Sequence, residues 1–421
     1  MIGAWDLKPG MGLVCVCTAS PAVIRAALHA AKYYETFGTQ ERLVSIEATC
    51  NQINPTTGYS GLTPKGFASL VGRIAGDVGL SRDKYILGGD HLGPYPWRNL
   101  KASDAMRHAK NLVGSFALAG YDKIHVDPSM RCAGDPDPLP IELIAQRAAT
   151  LIAYAEDNVV GLPQKPRYVI GAEVPIPGGG HSKQHVRVSA ASDIRHSIDA
   201  HYEALKKLGL EDVWKRVVAT VVEPGVEFGD DWVVHFNELA PAVKRLSSPP
   251  TGEGFVGLRC EVHSTDYQTP QGLKDLVGNG FQILKVGPEL TYELRRILYR
   301  LDFIWDAIYA PLYRQPLPAM MADAMKDNPT WLNGAYPLDK DFWKAHVGLT
   351  DRVRYYWNDP AILARTQALQ AMKDIPINLV RDVLPELEPK VRDAVSITGA
   401  GLVQAGLGLA LDPYMEAAAG I

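Results

Sequence analysis

Short runs of hydrophobic residues, many of them β-branched, alternate with longer amphipathic stretches through about the first three hundred residues. The short runs are typical of buried strands, and in the stretches between them hydrophobic positions recur every three or four residues, as in helices. The predicted strands lie near residues 13–18, 43–48, 84–89, 122–127, 167–173, 217–223, 256–263 and 281–287. The predicted helices between them include residues 21–34, 64–78, 102–119, 140–156, 192–208 and 237–246.

The order of these elements predicts the fold class. The connections are too long for hairpins, so the strands are expected to be parallel and joined by right-handed crossovers. About eight strands in about 290 residues favour a closed (β/α)8 barrel, a TIM barrel of the α/β class, over an open doubly wound sheet. An open sheet is also expected to show a glycine fingerprint after its first strand, and Thr18-Ala19-Ser20-Pro21 has none.

The strand pattern stops near residue 300. Helical spacing continues in residues 295–313, 361–373, 378–387 and 390–396, with prolines between the segments. We therefore predict a barrel over residues 1–300 and a helical C-terminal extension over residues 301–421 that packs on the barrel. The aromatic segment 352–357 fits a helix that lays its rings on the barrel better than a subunit contact or a substrate lid.

Composition and charge exclude several classes of protein. The chain has 421 residues, 47% of them hydrophobic and 21% charged, which is typical of a globular protein. The net charge of -4 and the lack of clustered lysine and arginine argue against nucleic acid as a partner. No apolar run approaches the roughly 18 residues of a membrane helix, and the first residues lack a signal-peptide layout. A cytoplasmic protein without membrane contact is expected.

The five cysteines are odd in number and scattered, which argues against a disulfide framework. Cys15 and Cys17 form a Cys-x-Cys pair inside a predicted strand. Strand packing is the favoured interpretation, because no second pair completes a zinc clamp.

Ionisable residues stand at the downstream ends of many predicted strands. Strand ends of a parallel barrel open on one face, and buried charges are costly unless they share a solvated pocket, so these residues are expected to meet in one site. The candidates are Glu47, Asp90, His91, His125, Asp127, Glu173 and His263. Several histidines and carboxylates around one opening suit a divalent cation that keeps one position open for substrate.

Local patterns refine this picture and leave alternatives. Gly88 and Gly89 are expected to let the chain turn sharply, so that the next two residues both face the pocket. Alternation along a strand places Glu261 on the same face as His263. A histidine at a strand end is more often a hydrogen-bonded structural residue, Asp90 could cap the following helix, and Asp127 before a proline could form a plain turn.

Loops after the last two barrel strands commonly bind phosphate. Here Ser264, Thr265 and Gly287 could hold an anion while Lys285 supplies positive charge. The triple glycine that contains Gly179 is either a mobile loop, which is favoured, or an anion-binding backbone nest. Lys285 also allows a rival chemistry, a Schiff base with a carbonyl substrate, which ranks lower because it leaves the histidines without a role.

A series of ordered motifs resembles the Z-subunit family of class II tagatose-bisphosphate aldolases, over nearly the whole chain. The motifs are Ile46-Glu47-Ala48-Thr49 with Asn51-Gln52, Gly88-Gly89-Asp90-His91-Leu92-Gly93-Pro94, Cys132-Ala133-Gly134-Asp135-Pro136, Gly171-Ala172-Glu173-Val174-Pro175, Pro224-Gly225-Val226-Glu227-Phe228, His263-Ser264-Thr265-Asp266-Tyr267-Gln268, Lys285-Val286-Gly287-Pro288 and Asp351-Arg352-Val353-Arg354-Tyr355-Tyr356-Trp357.

The resemblance implies a TIM barrel that works in galactitol, tagatose or amino-sugar breakdown. Family members are regarded as accessory subunits of a separate catalytic aldolase chain, and other relatives act alone as metal-dependent C4 epimerases of ketose phosphates or ketouronates. Some relatives carry the label tagatose 6-phosphate kinase. The present sequence has no Gly-x-x-x-x-Gly-Lys-Ser/Thr loop and no kinase glycine loop, so kinase activity and a nucleotide cofactor are not expected.

The resemblance also implies roles for individual residues. Asp90-His91 matches the acid/base aspartate and the metal-binding histidine of catalytic class II aldolases, which use two further histidines where this chain offers Glu173 and His263. His125 is an additional candidate ligand, and Glu47 and Asp127 are additional candidates for proton transfer. Zinc is the favoured metal, with manganese, nickel or cobalt as alternatives.

We therefore expect an enzyme in preference to a subunit without turnover. The favoured function is a component of a class II D-tagatose-1,6-bisphosphate aldolase, which cleaves a ketose bisphosphate into glycerone phosphate and glyceraldehyde 3-phosphate. The alternative is a stand-alone metal-dependent C4 epimerase. The expected partners are a phosphorylated ketose, a separate aldolase catalytic chain and further copies of this chain in a homo-oligomer.

Overall fold

The computed structural model describes residues 7, 10–36, 44–56, 58–171, 186–236, 258–310, 314–332 and 341–421. They divide into two compact units. The first contains the described residues within 1–227, 233–286 and 413–421, and the second those within 228–232 and 287–412.

Eight parallel strands of the first unit close into a barrel, which confirms the predicted TIM barrel. In chain order they are β1 (Leu13–Cys17), β2 (Val44–Thr49), β3 (Ile86–Leu92), β4 (Lys123–Val126), β5 (Arg167–Ile170), β6 (Val217–Val222), β9 (Arg259–Val262) and β10 (Ile283–Val286). Each pairs with its neighbours in this order, and β10 pairs with β1. Two short strands, β7 (Glu227–Phe228) and β8 (Val233–Val234), form a separate small sheet.

Helices follow the barrel strands, and the first five lie close to the predicted positions, whereas the sixth was not predicted. They are α1 (Pro21–Glu35), α2 (Pro64–Val78), α3 (Ala102–Leu118), α4 (Ile141–Asn158), α5 (Ala191–Lys207) and α6 (Pro270–Gly278). The start of α2 shows why: the Thr63 side chain accepts a hydrogen bond from the Gly66 amide, and a proline occupies the first helical position. The helix predicted over residues 237–246 lies outside the described residues.

The described part of the second unit is helical, as the sequence predicted. Its helices are α7 (Pro288–Tyr309), α8 (Leu317–Asp327), α9 (Phe342–Val347), α10 (Pro360–Gln370), α11 (Ile377–Val383) and α12 (Glu388–Val391), and α13 (Gly399–Ala419) runs on into the residues from Pro413 that belong to the first unit. The prediction missed α8, α9 and α13. Within the aromatic segment only Val353–Tyr355 is helical, as one 3-10 turn.

Part of the barrel interior is apolar. Its buried cluster comprises Leu7, Leu13, Cys15, Ile86, Val169, Ala219, Val221 and Ile283. Cys15 packs there, as predicted for a strand residue, and all five cysteines are free. Among the described residues, no helix is both long and apolar enough to cross a membrane.

Candidate functional site

Three histidines and one aspartate meet at the carboxyl ends of β3, β4 and β9. Asp90 and His91 lie on β3, His125 on β4, and His263 directly after β9. All four are buried, and one potential ligand atom from each lies within 4.8 Å of the others. The ring centroid of His91 lies 5.0 Å from that of His125 and 4.7 Å from that of His263, so the three imidazoles form a tight triangle.

The backbone at these strand ends differs from the prediction for Gly88 and Gly89. Both glycines stay in β3, and the left-handed conformation falls on His91 itself, with φ of 48°. Gly88 instead makes room for a neighbour, because a Cβ there would lie 2.7 Å from Cγ of Glu47. Ser264 has a φ of 56°. Left-handed conformations of residues other than glycine cost free energy and cluster at functional sites.

Each histidine makes a polar contact through a ring nitrogen. His91 Nδ1 lies 2.8 Å from Asp90 Oδ2, and His263 Nε2 lies 3.0 Å from Glu261 Oε1. His125 Nε2 lies 3.1 Å from the carbonyl oxygen of Gly171. Proteins use such contacts to fix the tautomer of metal-binding histidines, because they leave the second nitrogen as the donor to the metal.

The chemistry of this donor set fits a divalent cation. If His125 Nε2–H donates to the Gly171 carbonyl, Nδ1 carries a lone pair, and this atom lies 3.0 Å from Asp90 Oδ1. Burial lowers the pKa of His125 and so favours the neutral ring. The nitrogen lone pair and the carboxylate oxygen repel each other, and a cation between or beside the two atoms would offset this repulsion. His91 and His263 could therefore hold a metal through their second ring nitrogens, and His125 could do so through Nδ1, which also lies 3.3 Å from the amide nitrogen of His91.

Beneath the histidines lies a buried network of opposite charges. Lys123 Nζ lies 2.8 Å from Glu47 Oε1 and 2.5 Å from Glu261 Oε2, and all three side chains have no solvent exposure. Lys285 Nζ lies 2.7 Å from Glu47 Oε2 and 3.4 Å from Glu261 Oε1, and it also pairs with Asp90. Each lysine therefore links carboxylates from different strands across the barrel interior.

This network keeps its carboxylates ionised. Burial alone would raise the pKa of Asp90, but His91 and Lys285 hold that pKa well below its usual value. Burial alone would also raise the pKa of Glu261, but Lys123 and Lys285 hold that pKa well below its usual range. The floor of the site thus carries fixed negative charges next to the imidazoles.

The other predicted site residues have different surroundings. Asp127 Oδ1 accepts a hydrogen bond from the Ser129 amide at 3.0 Å. The side chain therefore forms a turn, which was the alternative to a role in the site. The Thr265 hydroxyl is fully buried and donates to the Lys285 carbonyl oxygen at 2.6 Å. Gly287 precedes α7 in the second unit. Glu173 and Gly179 lie outside the described residues.

The sequence interpretation missed Lys123. The signal was available, because alternation along β4 places Lys123 on the same face as His125. The sequence interpretation gave Lys123 no role. It also missed an open pocket beside His263, lined in part by Arg187 and Glu227, which come from connecting segments without a periodic pattern.

Comparisons with known proteins agree with this architecture. Residues 6–419 match the family described as D-tagatose-1,6-bisphosphate aldolase subunit GatZ/KbaZ-like. The chain is 43% identical over 388 residues to a D-tagatose 6-phosphate 4-epimerase of Agrobacterium fabrum (strain C58 / ATCC 33970), covering 90% of this chain and 88% of the relative.

A solved structure is also similar along almost the whole chain. It is that of a "probable tagatose 6 phosphate kinase" from Sinorhizobium meliloti 1021, with 36% identity and a TM-score of 0.85. The match covers 96% of this chain and 100% of that one. With the sequence match over residues 6–419, this likeness leads to one conclusion: the chain belongs to the GatZ/KbaZ-like family of D-tagatose-1,6-bisphosphate aldolase subunits.

Proposed function

We propose that the chain is a metal-dependent enzyme of carbohydrate metabolism that inverts C4 of a ketose 6-phosphate by cleaving and re-forming the C3–C4 bond. The observation that carries the proposal is the triangle of His91, His125 and His263 around the ionised Asp90. The similarity to a protein named D-tagatose 6-phosphate 4-epimerase supports this choice of reaction over aldol cleavage alone.

The three histidines would hold the metal. Imidazole nitrogen suits zinc, and manganese, nickel and cobalt are the alternatives to test. A bound divalent cation supplies a Lewis acid that stabilises negative charge on a carbonyl oxygen. The histidines are held in advance by Asp90, Gly171 and Glu261, so binding needs little rearrangement of their rings.

Asp90 would move the proton. The pairing with Lys285 keeps Asp90 ionised at neutral pH, as a base must be. Asp90 accepts the proton of the C4 hydroxyl, the C3–C4 bond breaks, and its electron pair stays with the three-carbon fragment that carries the C2 carbonyl. The aldehyde fragment then rotates, and the C3–C4 bond re-forms on the opposite face of its carbonyl group. Asp90 returns the proton to the C4 oxygen.

The first experiment measures this reaction on the purified chain. D-tagatose 6-phosphate should be converted to D-fructose 6-phosphate, and a chelator should abolish the conversion until divalent metal is restored. In deuterium oxide the product should carry no deuterium at C4, because cleavage between C3 and C4 leaves the hydrogen on C4 in place. Deuterium at C4 would contradict the proposed bond cleavage.

A second experiment separates proton transfer by Asp90 from its contact with His91. If Asp90 is the base, Asp90→Asn lowers kcat by about 100-fold or more while the bound metal remains. If Asp90 only orients the ring, the variant loses metal affinity, and activity returns at high metal concentration. Asp77→Asn is the matched control, because Asp77 is an exposed carboxylate on α2.

The family description supports a second candidate, an aldolase subunit that acts with another chain. In that case the purified chain alone shows no epimerase activity with any divalent metal. Addition of the chain to a catalytic class II aldolase chain then raises cleavage of tagatose 1,6-bisphosphate. Assays of Asp90→Asn in the same mixture show whether the aspartate matters for this effect.

A further inference from the structure

An open pocket lies beside His263 in the first unit. Its wall is formed by the end of β6 with the residues after it, by the segment from residue 186, and by the turn after β9. The lining residues are Val186, Arg187, Val221, Val222, Glu223, Pro224, Val226, Glu227, His263 and Ser264. The pocket therefore borders the cluster of histidines at His263.

Hydrogen bonds of the main chain and of one serine side chain hold the outer wall in place. The Ser189 amide donates to the Glu223 carbonyl oxygen at 2.8 Å, and the Glu223 amide donates to Ser189 Oγ at 2.9 Å. Val188 and Pro224 form an isolated antiparallel bridge. The segment that carries Arg187 is thus fixed against the strand end, which a binding site needs.

The polar lining changes from the rim inward. Arg187 is exposed, and none of the described carboxylates forms an ion pair with it. Arginine binds phosphate through two parallel hydrogen bonds, and among the described lining residues it is the one permanently charged cation. Glu227 is buried, with 6% exposure, and its carboxylate can accept hydrogen bonds from hydroxyl groups deeper in the pocket.

We infer that this pocket is the subsite for the phosphorylated end of a ketose monophosphate. Arg187 binds the phosphomonoester at the rim, and Glu227 accepts hydrogen bonds from the hydroxyl groups between the phosphate and the carbon that reacts near His263. The inference rests on the proposed function for the identity of the sugar. It places an anion contact at Arg187, in addition to the candidate anion-binding residues after β9 and β10, of which Ser264 also lines this pocket.

Binding of D-glucitol 6-phosphate tests the inference. This sugar alcohol has the same phosphorylated end but no carbonyl group, so it cannot undergo cleavage. By isothermal titration, Arg187→Gln should bind it about tenfold or more weakly than the unchanged protein, because a charge-assisted contact is lost. Glu227→Gln should also bind it more weakly, by at least threefold. Arg73→Gln, which removes an exposed arginine from α2, is the matched control and should bind it equally well.

The outcomes are distinct from those that test the reaction. Binding by Arg187→Gln within twofold of the unchanged protein would overturn the subsite, even if epimerisation is observed. Weakened binding in Arg187→Gln with normal binding in Arg73→Gln supports the subsite, even if no epimerisation is found. Arg187 is exposed, so its replacement should leave thermal unfolding unchanged, and Arg187→Lys should restore part of the affinity.

Discussion

Glu261 Oε1 lies 3.0 Å from His263 Nε2, and the other carboxylate oxygen of Glu261 lies 2.5 Å from Lys123 Nζ. One side chain thus connects an imidazole at the barrel mouth with a lysine in the barrel interior. The two contacts can be separated by experiment, because the contact with His263 bears on the proposed metal site and the contact with Lys123 bears on folding stability.

Replacement of Glu261 by glutamine should weaken metal binding. Glutamine keeps the size of the side chain but removes the negative charge that orients His263, and loss of such a contact typically lowers metal affinity by about 10–100-fold. Competition with a chelator of known affinity measures the change. Glu142→Gln, at an exposed carboxylate on α4, should have no effect. Equal affinities in both variants would mean that Glu261 serves only as a counter-charge for Lys123.

Replacement of Lys123 by methionine should destabilise the barrel. Lys123 is fully buried between Glu47 and Glu261, and removal of one partner from a buried ion pair typically costs about 3–5 kcal/mol. The free energy of unfolding in urea measures the loss. The double variant Lys123→Met with Glu47→Gln should recover part of it, because one uncompensated charge is removed as well. A single variant as stable as the unchanged protein would contradict this account of the network.

The sequence predicted the barrel well because each strand is a short hydrophobic run with amphipathic stretches on either side. It missed α13 because Gly406 and the other glycines there suggest a break in a helix. Within the second unit, a Cβ at Gly406 would lie 2.3 Å from Cδ1 of Ile297, so close packing explains the glycine. It missed α8 because Pro316 and Pro318 suggest a loop, although proline is compatible with the first turn of a helix.

For the candidate site, the sequence predicted the cluster of ionisable strand ends but not its internal contacts. The grouping of His91, His125 and His263 follows from the parallel barrel, in which all strand ends open on one face. Which nitrogen of each ring is held depends on contacts across strands, such as His125 with Gly171. Those contacts are set by strand register, and hydrophobic patterns do not encode register in a sheet that is buried on both faces.

Lys285 should not form a Schiff base. Burial alone would lower its pKa, but Asp90 and the other nearby carboxylates hold the pKa well above the usual value, so the amine stays protonated. A protonated amine has no lone pair with which to attack a carbonyl group. Treatment with borohydride in the presence of D-tagatose 6-phosphate should therefore leave activity and protein mass unchanged. A mass increase located at Lys285 would reverse this assignment and favour the metal-free chemistry.

The contact between Glu156 and Arg216 should make stability depend on pH. Burial alone would raise the pKa of Glu156, but hydrogen bonds from Arg216 and Tyr168 hold it below its usual value of 4.5. The Arg216 guanidinium lies 2.5 Å and the Tyr168 hydroxyl 2.6 Å from the carboxylate. A carboxyl group with a lowered pKa contributes stability above its unfolded pKa, and this contribution is lost as pH falls through the folded pKa.

Glu156→Gln should therefore lower the thermal unfolding temperature at pH 7, and the difference from the unchanged protein should narrow below about pH 4.5. Thermal unfolding curves recorded for both proteins at the same series of pH values measure this difference in unfolding temperature. Asp212→Asn is a suitable control, because Asp212 pairs with Lys215 on the surface and solvent screens that pair. A difference for Glu156→Gln that stays constant with pH would show that lost packing, and not the charge of Glu156, causes the destabilisation.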